Sequence, residues 1–414
     1  MPPQTPRIPR RLAFRRTATS RLAERLRTRR EAIAERPRLL TATAIAIVLL
    51  LGGLSIPFLH AHMQSVAVLD LIADKPVPAP LRSVVSDHVA ISELQLPLPS
   101  GAVRARMYTP VGHADAPAIL VFHGVHYKGM DEPRMIAFAS SLAACGIRVL
   151  TPELPGIKDY HVDANSIATI GDSAQWLAQS YHQQSVGVLG LSFSGGLSLL
   201  AAADPRWHPY IKFVVTIGSQ NSMARVADYY RTGHDARPNG TIQYLPPHEY
   251  GALVLEYQHL DDFVPNPADQ PAIREVLRAH LYEDKPAERL ALRALTPAQH
   301  ILAEDLMATT SNSTRDLLLA SERQHQDYAA SVSPTGHIGH LDTPVYLLHG
   351  EADNIIPSAE TLWMANELPR HSLKAELISP VLSHLDLDGT GPTAWDELRL
   401  VHFFALVLHA AEAK

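Results

Sequence analysis

Residues 185–196 read SVGVLGLSFSGG, an apolar β-like run that leads straight into Ser192, and the small-residue helical stretch GGLSLLAAA follows at once. A chain that passes from strand to helix in so few residues must turn abruptly, which lifts the Ser192 hydroxyl to the top of a sheet. Small residues are needed two before and two after the serine so that strand and helix can close up. Gly190 supplies the first. Ser194 stands at the second, where glycine is expected, with Gly195 behind it. The new helix also aims its free amides at this spot and favours developing negative charge there. Ser194 is the rival nucleophile, but it has serine rather than glycine two residues before it.

A hydroxyl attacks at neutral pH only with a base beside it. In LISPVLSHLDL (377–387), His384 sits in a loop after a strand-like run and before the last helix. In LLHGEADNIIP (347–357), Asp353 follows another apolar run, where an acid that orients the histidine would stand. The order Ser192, Asp353, His384 makes a nucleophile, acid and base set for acyl transfer. A helix-capping or turn role is the alternative for Asp353. Asp261 and Asp262 are weaker candidates for the acid. The oxyanion of such a reaction needs two amide donors. Phe193, directly after the nucleophile, supplies one, and Val125, behind AILVFHG (118–124), supplies the other. His123 is read as a brace for that loop, and His126, Tyr127 and Lys128 as candidate pocket residues.

Other chemistries find little support. The chain has no HExxH and only one cysteine, Cys145, read as a buried thiol, so no metal and no cofactor is expected. His337 and His340 lack helical i,i+4 spacing and nearby carboxylates. The net charge of −6 argues against nucleic acid as a partner.

The elements that must position these residues alternate. A hairpin is predicted at 89–96 and 103–108 about the turn residues Pro99, Ser100 and Gly101, then strands at 118–122, 148–152, 185–192, 211–218, 345–350 and 374–379. Helices are predicted at about 133–145, 164–183, 357–368 and 394–411. Buried strands interleaved with amphipathic helices imply an α/β fold, a mostly parallel, doubly wound sheet covered on both faces. Residues 89–218 and 341–414 form this core. Residues 219–340 break the rhythm and are too long for a loop. They are read as a helical cap insertion over the strand ends, with Tyr229, Tyr230, Tyr244 and Tyr250 shaping a substrate.

The N-terminal part differs in kind. Residues 1–38 carry twelve arginines against three acids, Glu24, Glu31 and Glu35. Residues 39–59 follow without a charge, and 21 helical residues span roughly 30 Å. The expectation is a basic cytoplasmic arm, a transmembrane helix and, by the positive-inside rule, a catalytic part beyond the inner membrane, on the periplasmic side. Secretion after signal cleavage is the alternative. Residues 60–88, with Pro76, Pro78 and Pro80, are read as a linker or stalk.

Taken in order, the turn at Ser192, the Asp353 loop, the His384 loop and the His123-Gly124 loop resemble the α/β-hydrolase superfamily over about 89–218 and 341–412. Within it, the opening hairpin and the HGEADNIIP and SHLDL segments look like dienelactone-hydrolase-like and esterase-like bacterial members. Dienelactone hydrolases proper have a cysteine where this chain has Ser192. The resemblance implies an acyl-enzyme on a Ser192–His384–Asp353 triad and small-molecule ester or thioester substrates. A serine peptidase acting on short peptides, or an inactive hydrolase fold used for binding, are the alternatives.

Overall fold

The computed structural model describes residues 56–86, 88–308, 312–382 and 392–413. The chain divides into two units, 1–59 and 60–414. Of the first, residues 56–59 are described; they are helical, with Ile56, Phe58 and Leu59 exposed. The basic arm and most of the expected span 39–59 lie outside the described residues. Among the described residues, no helix is long and apolar enough to cross a membrane.

The second unit is organised by a sheet of eight strands. The hairpin strands are β1 (Val89–Leu98) and β2 (Gly101–Pro110). They are followed by β3 (Ala118–Phe122), β4 (Arg148–Pro152), β5 (Val186–Leu191) and β6 (Ile211–Ile217). Two short strands, β7 (His234–Ala236) and β8 (Ile242–Tyr244), pair only with each other, and β9 (Val345–Gly350) and β10 (Leu373–Ser379) complete the large sheet. Its order is β1-β2-β4-β3-β5-β6-β9-β10. β2 runs antiparallel to both its neighbours, and every pair from β4 to β10 is parallel. The chain leaves β3 toward β4 on one side and returns to β5 on the other. Their carboxyl ends therefore flank a switch point, where an open α/β sheet leaves a crevice.

The central strands β3 and β5 are apolar throughout because both faces of the sheet are covered there. Alternate side chains serve two cores. Leu120, Phe122, Val188, Val214 and Leu347 enter one. Ile119, Val121, Leu189, Val215 and Leu348 enter the other. The first core receives α4 (Ala164–Ser180), α5 (Phe193–Ala203) and α14 (Ala359–Glu367) through Leu177, Leu197 and Met364. The second receives α2 (Pro133–Ala144) and α15 (Ala394–Glu412) through Phe138 and Phe404. Caps set the helix starts: Glu132 accepts from the Met135 amide at 2.9 Å, Asp163 from the Ser166 amide at 2.9 Å, and Thr393 forms a capping box with Asp396. Cys145 is buried, and burial pushes its thiol up to about 12.

The expected linker does not begin at residue 60. Residues 60–72 are helical, α1, and dock on the second core. Ala61, Ala67 and Val68 are fully buried there. Gln64 Nε2 donates to the Cys145 carbonyl at 2.9 Å, and Ser65 Oγ donates to the Val401 carbonyl at 2.7 Å. Positions 61, 64, 65 and 68 do repeat at helical spacing. Two of them are polar, however, so hydrophobic periodicity passes the helix over. The prolines that suggested a stalk lie after α1, around the short 3-10 turn Ala79–Val84.

Between β6 and β9 the chain is mostly helical, as expected. It begins with α6 (Met223–Thr232), α7 (Glu249–Gln258), α8 (Leu260–Phe263) and α9 (Gln270–Leu281). It continues through α10 (Lys285–Ala294), α11 (Pro297–Ala308), α12 (Asn312–Gln324) and α13 (Gln326–Ser331). The β7–β8 hairpin within it was not foreseen. A buried carboxylate ties the start of this segment to the core. Glu360 of α14 accepts from the amides of Asn221 and Ser222, both at 2.7 Å, and from Arg225 Nε at 2.6 Å.

Docking of α1 has a direct test. Val68→Asp would bury a charge in the second core and is expected to cost about 3 kcal/mol or more. A urea midpoint unchanged from wild type would mean that residues 60–72 behave as a free stalk.

Candidate active site

The turn between β5 and α5 places Ser192 at φ 56°, ψ −135°, a left-handed conformation that non-glycine residues seldom adopt. Such a residue costs roughly 1–3 kcal/mol and persists only where its surroundings hold it. Here the Ser192 amide donates to the Ile217 carbonyl at 2.8 Å, and the Gly195 amide donates to the Ser192 carbonyl at 3.0 Å. The closure expected of small residues falls at positions 190 and 195. A Cβ on Gly190 would lie 2.5 Å from Gly195 Cα, and one on Gly195 would lie 2.0 Å from Ser219 Oγ. Position 194 tolerates a side chain. Ser194 is fully buried and its Oγ donates to the His123 carbonyl at 2.5 Å. Its hydroxyl therefore links α5 to the end of β3.

Phe193 is the first residue of α5, so its amide has no acceptor within the helix. Val125 follows β3 on the other side of the switch point. Ser192, Phe193 and Val125 all line a single cavity of about 560 Å³, which brings the expected nucleophile and both expected oxyanion donors to one place. The segment between β6 and β9 contributes His248, Tyr250, Val254 and Glu283 to the same cavity.

The Val125 loop is fixed from both sides. Below it, His123 is buried; its Nδ1 donates to the Gly124 carbonyl at 2.8 Å and its Nε2 accepts from the Leu154 amide at 3.0 Å. Both ring nitrogens are thus used, and His123 braces the loop as expected. Burial pushes its pKa down to about 4. Above it, Tyr250 Oη donates to the Val125 carbonyl at 2.5 Å. Further along, the Tyr127 amide donates to Tyr160 Oη at 3.3 Å, and Tyr160 Oη donates to the Leu281 carbonyl at 2.6 Å. His126 lines the cavity and stacks on Tyr127, which stacks on Tyr282. Of the four tyrosines expected to shape the substrate, Tyr250 alone is among the described cavity residues. Tyr229 and Tyr230 are buried because they lie on the inner face of α6, and Tyr244 is 68% exposed on the β7–β8 hairpin.

Asp353 is fully buried in the loop after β9. Its Oδ1 accepts from the amides of Ile355 and Ile356 at 2.9 and 3.0 Å, and its Oδ2 lies 3.3 Å from His349 Nε2. His349, a residue not singled out from the sequence, also reaches the Ile356 carbonyl at 2.9 Å and Thr361 Oγ1 at 2.7 Å. It holds the loop after β9 from beneath. The insertion holds the same loop from above: the His248 amide and Tyr229 Oη donate to the Asn354 carbonyl at 2.8 and 3.2 Å. His384 falls within 383–391, outside the described residues.

Asp262, a weaker candidate for the acid, is used elsewhere. It accepts from Ser321 Oγ at 2.6 Å and lies 2.9 Å from His325 Nε2. His259 stacks on His325, and the three residues are the one group among the described residues that could hold a metal ion. His337 and His340 are not part of it.

A family model described as X-Pro dipeptidyl-peptidase (S15 family) matches residues 156–384, more than half of the chain. The chain belongs to this family. It is therefore a hydrolase of the α/β-hydrolase superfamily, as the sequence motifs implied, and its family is named for a peptidase. The S15 match includes Ser192, Asp353, His384 and the whole helical insertion, and begins after β4. No curated protein sequence matches the chain. Among solved structures, an esterase from Pyrobaculum calidifontis is 16% identical, covering 84% of this chain and 90% of its own, at a TM-score of 0.45. A 2-hydroxy-6-oxo-6-phenylhexa-2,4-dienoate hydrolase from Rhodococcus sp. strain RHA1 is 17% identical, covering 78% and 99%, at 0.40. A serine hydrolase from Cycloclasticus zankles is 12% identical, covering 77% and 99%, at 0.42.

Two outcomes test this geometry. Gly190→Ala forces a Cβ into the α5 backbone and is expected to cost about 3 kcal/mol; a wild-type urea midpoint would show that β5 and α5 stand further apart. The second concerns pH. His123 is ordinarily at 6.5 but at about 4 when folded, so between those values the unfolded chain binds the proton more readily. Its contribution is present above pH 6.5 and is lost as pH falls toward 4, on the order of 3 kcal/mol. Stability measured over that range should fall less steeply in His123→Gln than in wild type.

Proposed function

We propose that the chain is a serine hydrolase that cleaves carboxylic esters or thioesters through an acyl-enzyme on Ser192. The observation that carries this reading is the left-handed turn that holds Ser192 beside Phe193 and Val125 in one cavity. In this mechanism His384 takes the Ser192 proton as Oγ attacks the acyl carbon. The amides of Phe193 and Val125 hold the oxyanion. His384 then gives the proton to the leaving oxygen or sulfur, and later activates the water that frees Ser192. Asp353 orients the imidazole. The ester preference rests on a cavity lining that is mostly apolar around the nucleophile, with Leu191, Ile217 and Leu348 beside Ser192. Residues 39–59 are proposed to anchor the chain in the inner membrane, with this domain on the periplasmic side.

A second reading has its own support. The S15 match, and Glu283 in the cavity wall as an acid suited to a peptide N-terminus, favour a peptidase acting on short peptides. Fluorophosphonate labelling followed by paired p-nitrophenyl esters and X-Pro p-nitroanilides separates the cases. Wild type should be labelled and should turn over the esters. Ser192→Ala and His384→Ala should lose labelling at least 1,000-fold, on the order seen when a triad member is removed. Ser194→Ala should still be labelled, more slowly, because it loses only the tie to the His123 carbonyl. Turnover of the anilides alone would favour the peptidase, and equal labelling of wild type and Ser192→Ala would remove the assigned nucleophile.

A further inference from the structure

The cavity does not end at the nucleophile. From Leu191, Ile217 and Leu348, at the carboxyl ends of β5, β6 and β9, it continues over the second core, between helices rather than beneath the insertion. Its walls there are Met135, Ala137 and Phe138 of α2, Phe404 of α15, and Leu69 and Ile72 of α1. Every one of these side chains is apolar. Among the described residues, Glu132 and Arg134 at the start of α2 put two charged groups at the edge of this wall, and the other polar residues of the lining, such as His126, His248 and Glu283, belong to the loops and the insertion.

We infer that this arm is an acyl-chain subsite, in which the wall made by α1 selects substrates carrying a linear acyl chain of medium length. The inference rests on the ester reading and adds the substrate class. Three physical points support it. An apolar chain gains about 0.8 kcal/mol for each methylene taken out of water, about fourfold in kcat/KM, as long as the arm accepts it. A cationic or hydrated acyl group would leave its polar atoms unpaired against Phe138, Phe404 and Ile72. The cavity as a whole, at about 560 Å³, lies within the range of sites that enclose a small-molecule ligand. The leaving group then faces the polar half, toward His248 and Glu283.

The arm also explains why α1 is fastened to the domain by buried polar bonds from Gln64 and Ser65. Those bonds set the depth at which Leu69 and Ile72, one turn further on, close the arm. Residues that directly follow 39–59 in sequence therefore form part of the substrate site.

The experiment uses the full-length chain in detergent and p-nitrophenyl esters from acetyl to dodecanoyl, with alkyl fluorophosphonates of the same lengths as active-site probes. In wild type, kcat/KM and the labelling rate should rise by about two- to fourfold per methylene and then level off or fall once the arm is full. Ala137→Phe and Ile72→Trp, which shorten the arm, should lower the decanoyl-to-butyryl ratio at least tenfold and move the optimum to shorter chains. The ratio is read within each variant, so a partly unfolded preparation does not imitate the effect, and the probe series on wild type needs no variant at all. A labelled wild type whose rates are flat or falling with chain length overturns the acyl arm and leaves the Ser192 assignment standing. Ratios unchanged in both variants do the same. A wild type that no fluorophosphonate labels overturns the hydrolase reading and the arm with it.

Discussion

The closeness of β5 and α5 is the constraint on which the site depends. Gly190 and Gly195 approach until neither has room for a Cβ, and this contact forces the intervening Ser192 into the left-handed region. The strain is local, but what holds it is not. Ser192 is fastened to β6 through the Ile217 carbonyl, and Ser194 to β3 through the His123 carbonyl. A single turn of chain is thereby registered against both neighbouring strands. That registration sets the amide of Phe193 and the loop of Val125 on either side of the switch point.

The helical insertion does more than cover this crevice. It reaches the loops that follow β3 and β9. Tyr250 holds the Val125 carbonyl, and Tyr229 and the His248 amide hold the Asn354 carbonyl next to Asp353. Glu360 in turn holds the start of the insertion to α14. Val125 and Glu360 are buried, where an unpaired carbonyl or carboxylate is costly. Core and insertion thus constrain one another, and the site lies between them. The His259, Asp262 and His325 group joins the α7–α8 junction to α12 and its end, and so works within the insertion itself.

The second core carries a different kind of order. α1, α2 and α15 pack on one face of the sheet, and Leu69, Ile72, Met135, Phe138 and Phe404 of these helices also line the cavity that contains Ser192. That part of the lining comes from three helices that are far apart in sequence.

Much of this was legible in the residue order. Strands at 118–122, 148–152 and 345–350 coincide with those observed, because strands buried on both faces read as short, mainly apolar runs bounded by Pro or Gly. The turn at Ser192 and the bracing role of His123 were also legible, since strand-to-helix turns demand small residues at fixed offsets. Three features were not. α1 has a buried face containing Gln64 and Ser65, whose burial is repaid by partners at Cys145 and Val401 that no local pattern reveals. Tyr229, Tyr230 and Tyr244 share a residue type with Tyr250, but the direction of α6 and the β7–β8 hairpin decides which of them meets the cavity. The requirement for glycine at 195 rather than 194 depends on Ser219, which arrives from beyond β6. Local sequence thus determined most of the strands and helices and the turn at Ser192, because backbone propensity and burial periodicity act over a few residues. Tertiary structure alone decided which groups face one another, because those contacts join segments separated by tens to hundreds of residues.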